Sequence, residues 1–248
     1  MKVKDIYEFI DSFAPFDTCV EGDNAGLLIG DTENVVNKVL VCLDLLPNTA
    51  QRAIEIGADL IVSHHPFIYE PLCSITTESM AGKTALILAR HGISAIAAHT
   101  NLDMAEKGVN YHLARILKLK NIERIIPCNG AFEGIMGEID SRIENEMSLS
   151  VFKQYVKDAL NSDAVMTYSA GRTVKRIALV SGSGGSCAEK CAEYGVDTFL
   201  TGEMKYHAAL EAAFTGMNIV TAGHYETENH ICRVLAGEIE KLGVTVEL

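Results

Sequence analysis

Apolar residues in this chain recur in short runs that end on polar or glycine-rich stretches. The runs VLVCL from Val39, LIVS from Leu60, AIAA from Ala95, IALVS from Ile177, TFLT from Thr198 and IVTA from Ile219 are too short for helices and read as buried strands. Between the first two, and between the fourth and fifth, lies a polar turn followed by a helical stretch of roughly 12 residues that stops near Gly57 or Gly195. The N-terminal MKVKDIYEFIDSFAP has the spacing of a short amphipathic helix, and so does MSLSVFKQYVKDAL from Met147, with Ser148 or Ser150 as its N-cap. FEGIMGEI from Phe132 and AVMTYSA from Ala164 read as further strands. Residues 121–130 are the candidate linker.

The pattern occurs twice. VLVCLDLLPNTAQRAIEIGADLIVSHH aligns without a gap on IALVSGSGGSCAEKCAEYGVDTFLTGE, with Val39 on Ile177, Glu55 on Glu193, Gly57 on Gly195, Asp59 on Asp197 and Ser63 on Thr201. Further on, HGISAIAAHTNLD resembles GMNIVTAGHYETE, with His99 on His224 and Asp103 on Glu228; a longer connector around residues 71–83 of the first copy absorbs the change of offset. A strand, a helix and a second strand make a βαβ unit, whose strands run parallel through a right-handed crossover. The expected fold is therefore α/β, two similar lobes related by an internal repeat, divided as residues 1–125 and 126–248, with the site in the cleft between them.

Composition adds exclusions. Of 248 residues, 48% are hydrophobic and 22% charged, a globular balance that argues against long disorder. The formal charge of −12 and the absence of a dense Lys/Arg cluster weigh against general nucleic-acid binding. No apolar stretch reaches the length of a membrane span, and the acidic N-terminal segment does not read as a signal peptide. Seven scattered cysteines without a C-x-x-C pair fit a reduced, cytoplasmic setting, with Cys187 and Cys191 packing as small apolar side chains.

The candidate chemistry sits at the strand ends, where α/β sheets bind ligands. His64 and His65 follow LIVS, His99 follows AIAA, His224 follows VTAG, and Asp103 and Glu228 come four residues after their histidines. Neighbouring residues of an extended strand point to opposite sides, so His64 and His65 suit two ions side by side better than one. Imidazole and carboxylate together suit Zn, Fe, Mn, Ni or Co better than Ca or Mg. The reading is a dinuclear site with metal ligands His64, His65, Asp103, His224 and Glu228, and with His99 beside the ions. Glu203, at the repeat position of His65, either orients an imidazole or acts as a general base; a helix-capping carboxylate is an equally open reading. In SGSGGS, the Ser183, Gly184 and Gly185 amides could cradle a phosphate, although a tight βα turn is the simpler account.

At these residues the chain resembles a known family, the dinuclear-metal proteins called GTP cyclohydrolase I type 2-like or NGG-interacting-factor-like. The resemblance rests on DNAGLLIG from Asp23, GADLIVSHHPFIY, AAHTNLD, TGEMKYH and GHYETE, which span nearly the whole chain in the family's order. Gly22 stands where the family motif places a Trp, and the chain has the compact form without an inserted domain. The resemblance implies two α/β lobes, two divalent metal ions per chain on the five ligands named, and assembly into a homohexamer. It also implies a small anionic substrate, with a nucleotide as the candidate, and a metal-dependent hydrolase opening the ring of GTP. The alternative is a metal-handling or regulatory protein without turnover.

Overall fold

In this computed structural model residues 1–140 and 147–248 are described. By internal contact the chain forms two units, Met1–Ala105 with Ile231–Leu248, and Glu106–His230. The sequence pattern had suggested one division, at residue 125.

The first unit opens with α1 (Val3–Phe13), whose Val3, Ile6 and Ile10 recur at helical spacing and are fully buried. After β1 (Gly26–Ile29) come β2 (Lys38–Asp44), α2 (Pro47–Ile56), β3 (Leu60–His65), α3 (Met80–His91), β4 (Ser94–Ala97) and the one-turn α4 (Thr100–Met104). Strands β2, β3 and β4 pair in parallel, and β1 closes one edge antiparallel to β4. Leu40, Ile61 and Ala95 of these strands pack with Ala50 and Ala53 of α2 and Leu88 of α3 in one core. Pro47 opens α2, where a missing N–H costs nothing, and Gly57 ends it at φ 66°.

The second unit comprises α5 (Val109–Ile116), β5 (Lys120–Cys128), β6 (Ala131–Glu138), α6 (Leu149–Leu160), β7 (Met166–Tyr168), β8 (Arg176–Val180), α7 (Ala188–Ala192), β9 (Thr198–Thr201), α8 (Tyr206–Phe214), β10 (Asn218–Thr221) and α9 (His224–Glu228). Its six strands lie in the order β5-β6-β8-β9-β10-β7. Ser148 caps α6 through its hydroxyl, and Phe152 and Val156 bury that helix completely at one face. The chain then returns through α10 (His230–Glu240) to β11 (Thr245–Glu247), which pairs in parallel with β2 and completes the first sheet in the order β1-β4-β3-β2-β11.

Residues 121–130 are not a linker. They form most of β5 and the turn to β6, with Arg124 opposite Ile135 and Cys128 opposite Ala131. Asn129 and Gly130 carry the turn at φ 44° and 79°, the two positive values that a tight hairpin turn with the twist of the strands requires. That Asn-Gly pair was the available signal; the polar residues of KNIER masked it.

The repeat holds down to single hydrogen bonds. Asp59 accepts from the amides of Asn37 and Lys38 at 2.8 and 3.0 Å, and Asp197 accepts from those of Lys175 and Arg176 at 3.1 and 2.7 Å. Each aspartate thus ties the start of one strand to the start of the next. Gly57 and Gly195 share a left-handed conformation, φ 66° and 67°, which only glycine adopts without strain. The crossovers differ: α2 is a ten-residue helix, whereas its counterpart is a 3-10 turn (Gly184–Cys187) continued by the short α7. A side chain at Gly185 would press on the backbone at Glu203 and Met204, so this turn is glycine because the chain passes close. Cys187 and Cys191 are buried there, as small apolar packing requires.

Candidate functional site

In the first unit the loops after β2, β3 and β4 carry the candidate ligands. Asp44 and His65 are register partners on adjacent strands, which places their side chains on the same face, and the His65 Nδ1–H donates to Asp44 Oδ1 at 2.8 Å. His64 Nδ1–H donates to the Ala98 carbonyl at 2.8 Å, and His99 Nδ1–H to Asp23 Oδ1 at 2.7 Å. With every Nδ1 proton committed to an oxygen acceptor, each neutral ring carries its lone pair on Nε2. This is the arrangement by which outlying acceptors orient metal-binding imidazoles.

The three rings form a triangle, with centroids 4.9 Å apart for His64 and His65, 5.4 Å for His64 and His99, and 5.6 Å for His65 and His99. Strand alternation had suggested that His64 and His65 diverge. They sit at the last two residues of β3, and their Nδ1 bonds draw both rings into one cluster beyond the strand end. Asp103, on α4, brings Oδ1 to 3.6 Å from His64 Nε2. That is too long for a hydrogen bond, and close to the separation of two ligands each about 2.0–2.1 Å from a shared ion. The donor set of this unit therefore fits a transition-metal ion. Burial pushes the Asp23 carboxyl up, but the hydrogen bonds from His99 and Thr100 outweigh it and hold the group well below the usual carboxylate range. Asp23 is thus a permanent anion behind His99.

In the second unit the loops after β8, β9 and β10 do the equivalent work. His224 and Glu228 lie one turn apart on α9, with Nε2 to Oε2 at 3.0 Å. Glu203, just past β9, brings Oε2 to 3.5 Å from His224 Nδ1 and accepts from the Ser183 hydroxyl at 3.1 Å. The hydrogen bond to Glu228 chiefly raises the His224 pKa; burial opposes it, and with Glu203 the result is about 9. Such a pair favours positive charge, so a cation there competes with a proton. The space that a Cβ at Gly182 would need is filled by the Glu228 carboxylate, and Gly182 adopts φ 54°.

Of the phosphate-cradle residues, Ser183 has its hydroxyl beside Glu203 and His224, while Gly184 is buried and its N–H donates to the Ser181 carbonyl at 3.2 Å. Residues of the types at His64, His65 and Glu228 could hold a metal ion. The sequence reading missed Asp23 and Asp44. Asp44 was open to it as a carboxylate at the end of an apolar strand; Asp23, remote in sequence from His99, offered only its place in DNAG.

All 248 residues match the sequence model of the Duf34/NIF3 (NGG1p interacting factor 3) family. The chain belongs to this family. A curated relative from Lactococcus lactis, named GTP cyclohydrolase 1 type 2 homolog, is 32% identical, with 100% of this chain and 95% of the relative covered. The crystal structure of a hypothetical protein from Staphylococcus aureus superposes with a TM-score of 0.88 at 31% identity, covering 100% of this chain and 95% of that one. A Bacillus cereus protein related to NIF3 superposes at 0.90 with 22% identity, over 100% and 96% of the two chains, which speaks to the fold alone. Among the described residues no helix is long and apolar enough to cross a membrane.

Proposed function

We propose that this NIF3-family protein is a metal-dependent hydrolase that uses two divalent ions, with His64, His65, Asp103, His224 and Glu228 as ligands and a cyclohydrolase-type ring opening of GTP as its reaction. The observation that carries the reading is the fixed tautomer of His64, His65 and His99, each held through Nδ1, which places the ring's lone pair on Nε2. The relatives' name, GTP cyclohydrolase 1 type 2 homolog, supplies the substrate class. Two divalent ions, when bound, supply Lewis acidity and a water ionised near neutral pH.

The chain's own residues supply the remainder. Glu203 is exposed and steered by the Ser183 hydroxyl, so its carboxylate can take a proton from water or return one to a leaving nitrogen. His99, backed by the ionised Asp23, can accept a proton at Nε2 while Nδ1 stays bonded. The Ser183–Gly185 turn is assigned, within the same proposal, to a phosphate of the substrate.

The test is metal analysis of protein purified without added metal, followed by GTP and phosphoester turnover with the ions it retains. About two ions per chain, lost together with GTP turnover in His64→Ala/Asp103→Ala, is the expected result. Phosphoester cleavage with GTP left intact would overturn the cyclohydrolase reaction. Metal bound and passed to a chelating client with no turnover would instead establish a metal-handling role. A homohexamer is part of the proposal, on the family resemblance. Tyr206, Leu210 and Phe214, spaced along one face of α8 and 68%, 45% and 91% exposed, offer apolar surface for association. Light scattering on the eluting protein reads the assembly directly.

A further inference from the structure

A cavity of about 760 Å³ opens within the second unit, lined among others by Thr221, Gly202, Gly223, Met166, Met204 and the exposed Lys205. Ser183 and Glu203 also line it, so it adjoins the His224 half-site. The volume lies in the range of small-molecule sites.

Thr221 is the telling residue. It is 5% exposed, yet its Oγ1 has no hydrogen-bond partner among the described residues. A buried hydroxyl without a partner is destabilising, and native proteins rarely keep one without use. Thr221 lies at the end of β10, opposite Thr201 and Met166, so the strand register sets it beside Met166 in the cavity lining. Lys205 is exposed and makes no ion pair or side-chain hydrogen bond among the described residues, in a chain of net charge −12. An unpaired ammonium at the mouth of an apolar-walled cavity attracts an anion. The two thioethers present flat, polarizable surface suited to an aromatic ring.

We infer that this cavity binds the organic part of the substrate, a flat unsaturated anion whose ring lies between Met166 and Met204, whose polar atom meets the Thr221 hydroxyl, and whose charge meets Lys205. The inference deepens the hydrolase reading and rests on it for turnover alone; binding requires only the second unit's residues.

The experiment therefore reads binding in the metal-stripped full chain. Protein carrying carbon-13 methionine methyls, assigned through Met166→Leu and Met204→Leu, is titrated with benzoate, guanosine 5′-monophosphate, benzyl alcohol and inorganic phosphate. Benzoate or the nucleotide should move both methyl signals, and the tighter of the two identifies the anion as carboxylate or phosphate. Benzyl alcohol should bind more weakly. Lys205→Gln should weaken the anion about twofold to fivefold and flatten its salt dependence. Thr221→Val keeps the shape and removes the orphan, so it should raise the melting temperature of the ligand-free protein while weakening the probe about fivefold to tenfold.

The inference is overturned if neither aromatic anion moves either methyl at millimolar concentration, or if inorganic phosphate alone binds as tightly as the aromatic anions. It is equally overturned if Thr221→Val binds like the parent or melts lower. Absence of turnover in the metal-loaded protein, with these binding results intact, would count against the hydrolase reading and leave the cavity assignment standing.

Discussion

The two units build the same strand ends from different residues. Where the first has His64 the second has Gly202, and where the first has His65 the second has Glu203. With an imidazole at position 64, Asp103 brings its carboxylate towards His64, and His99 is left to bond Asp23. Gly202 has no side chain, and the Gly182 carbonyl and Thr227 hydroxyl close on that place; Glu228 pairs with His224 on its own helix. The first unit holds its rings at Nδ1 through acceptors on other segments; in the second, His224 meets Glu228 of its own helix at Nε2 and faces Glu203 and Ser183 at Nδ1. The sheets diverge in parallel: both have an antiparallel edge strand beside their third parallel strand, but one is extended by the returning β11 and the other by the β5–β6 hairpin.

The sharpest way to break this comparison is to remove the orienting acceptors of the first unit. Asp44→Ala should lower metal affinity tenfold to a hundredfold, measured by competition with a chelating dye, while leaving the ligand residues in place. No effect would mean that the His65 Nδ1 bond orients nothing that matters for metal. The next effect is steric. A Cβ at Gly202 would meet the Gly182 carbonyl oxygen at 2.6 Å and the Thr227 hydroxyl at 2.8 Å, so Gly202→Ala should destabilise the protein by about 1–3 kcal/mol in urea unfolding. If it is neutral, the glycine is not what lets the Glu228–His224 pair close.

A third contrast concerns the repeated aspartates. Asp197 is buried and also accepts from Thr198, whereas Asp59 is half-buried. Asp197→Ala should therefore cost about 1–3 kcal/mol, and Asp59→Ala less, since water can reach the amides it frees. Equal losses would remove the distinction. The smallest expected effect lies outside both half-sites. Hydrogen bonds from Lys2 and then Lys4 draw the Glu33 pKa down to about 2, against some opposing desolvation. A depressed carboxylate stabilises above its unfolded value near 4.5 and loses that contribution as pH falls towards 2. Glu33→Gln should remove that small contribution at neutral pH and flatten acid unfolding in that window, so that variant and parent converge at the acid end.

Much of this was legible beforehand. Short apolar runs gave away the parallel strands, and Gly57 and Gly195 the helix stops, because each depends on residues close in sequence; the twin His-x-x-x-carboxylate spacings pointed to two candidate clusters in the same way. The candidate linker failed where charged residues of an edge strand hid an Asn-Gly turn. Orientation was harder still. That His65 is held by Asp44, that His99 is held by Asp23, and that Asp103 lies beside His64 depend on strand register and on the paths of separate loops.

By itself the sequence determined the periodicities, the glycine conformations and the residue types gathered at each strand end, all set by local sterics and burial. Packing settled which oxygen each imidazole bonds, that β11 pairs with β2, and that the Thr221 hydroxyl lies buried with no partner among the described residues. Those outcomes join segments far apart along the chain, and sequence spacing carries no record of which of many compatible neighbours packing selects.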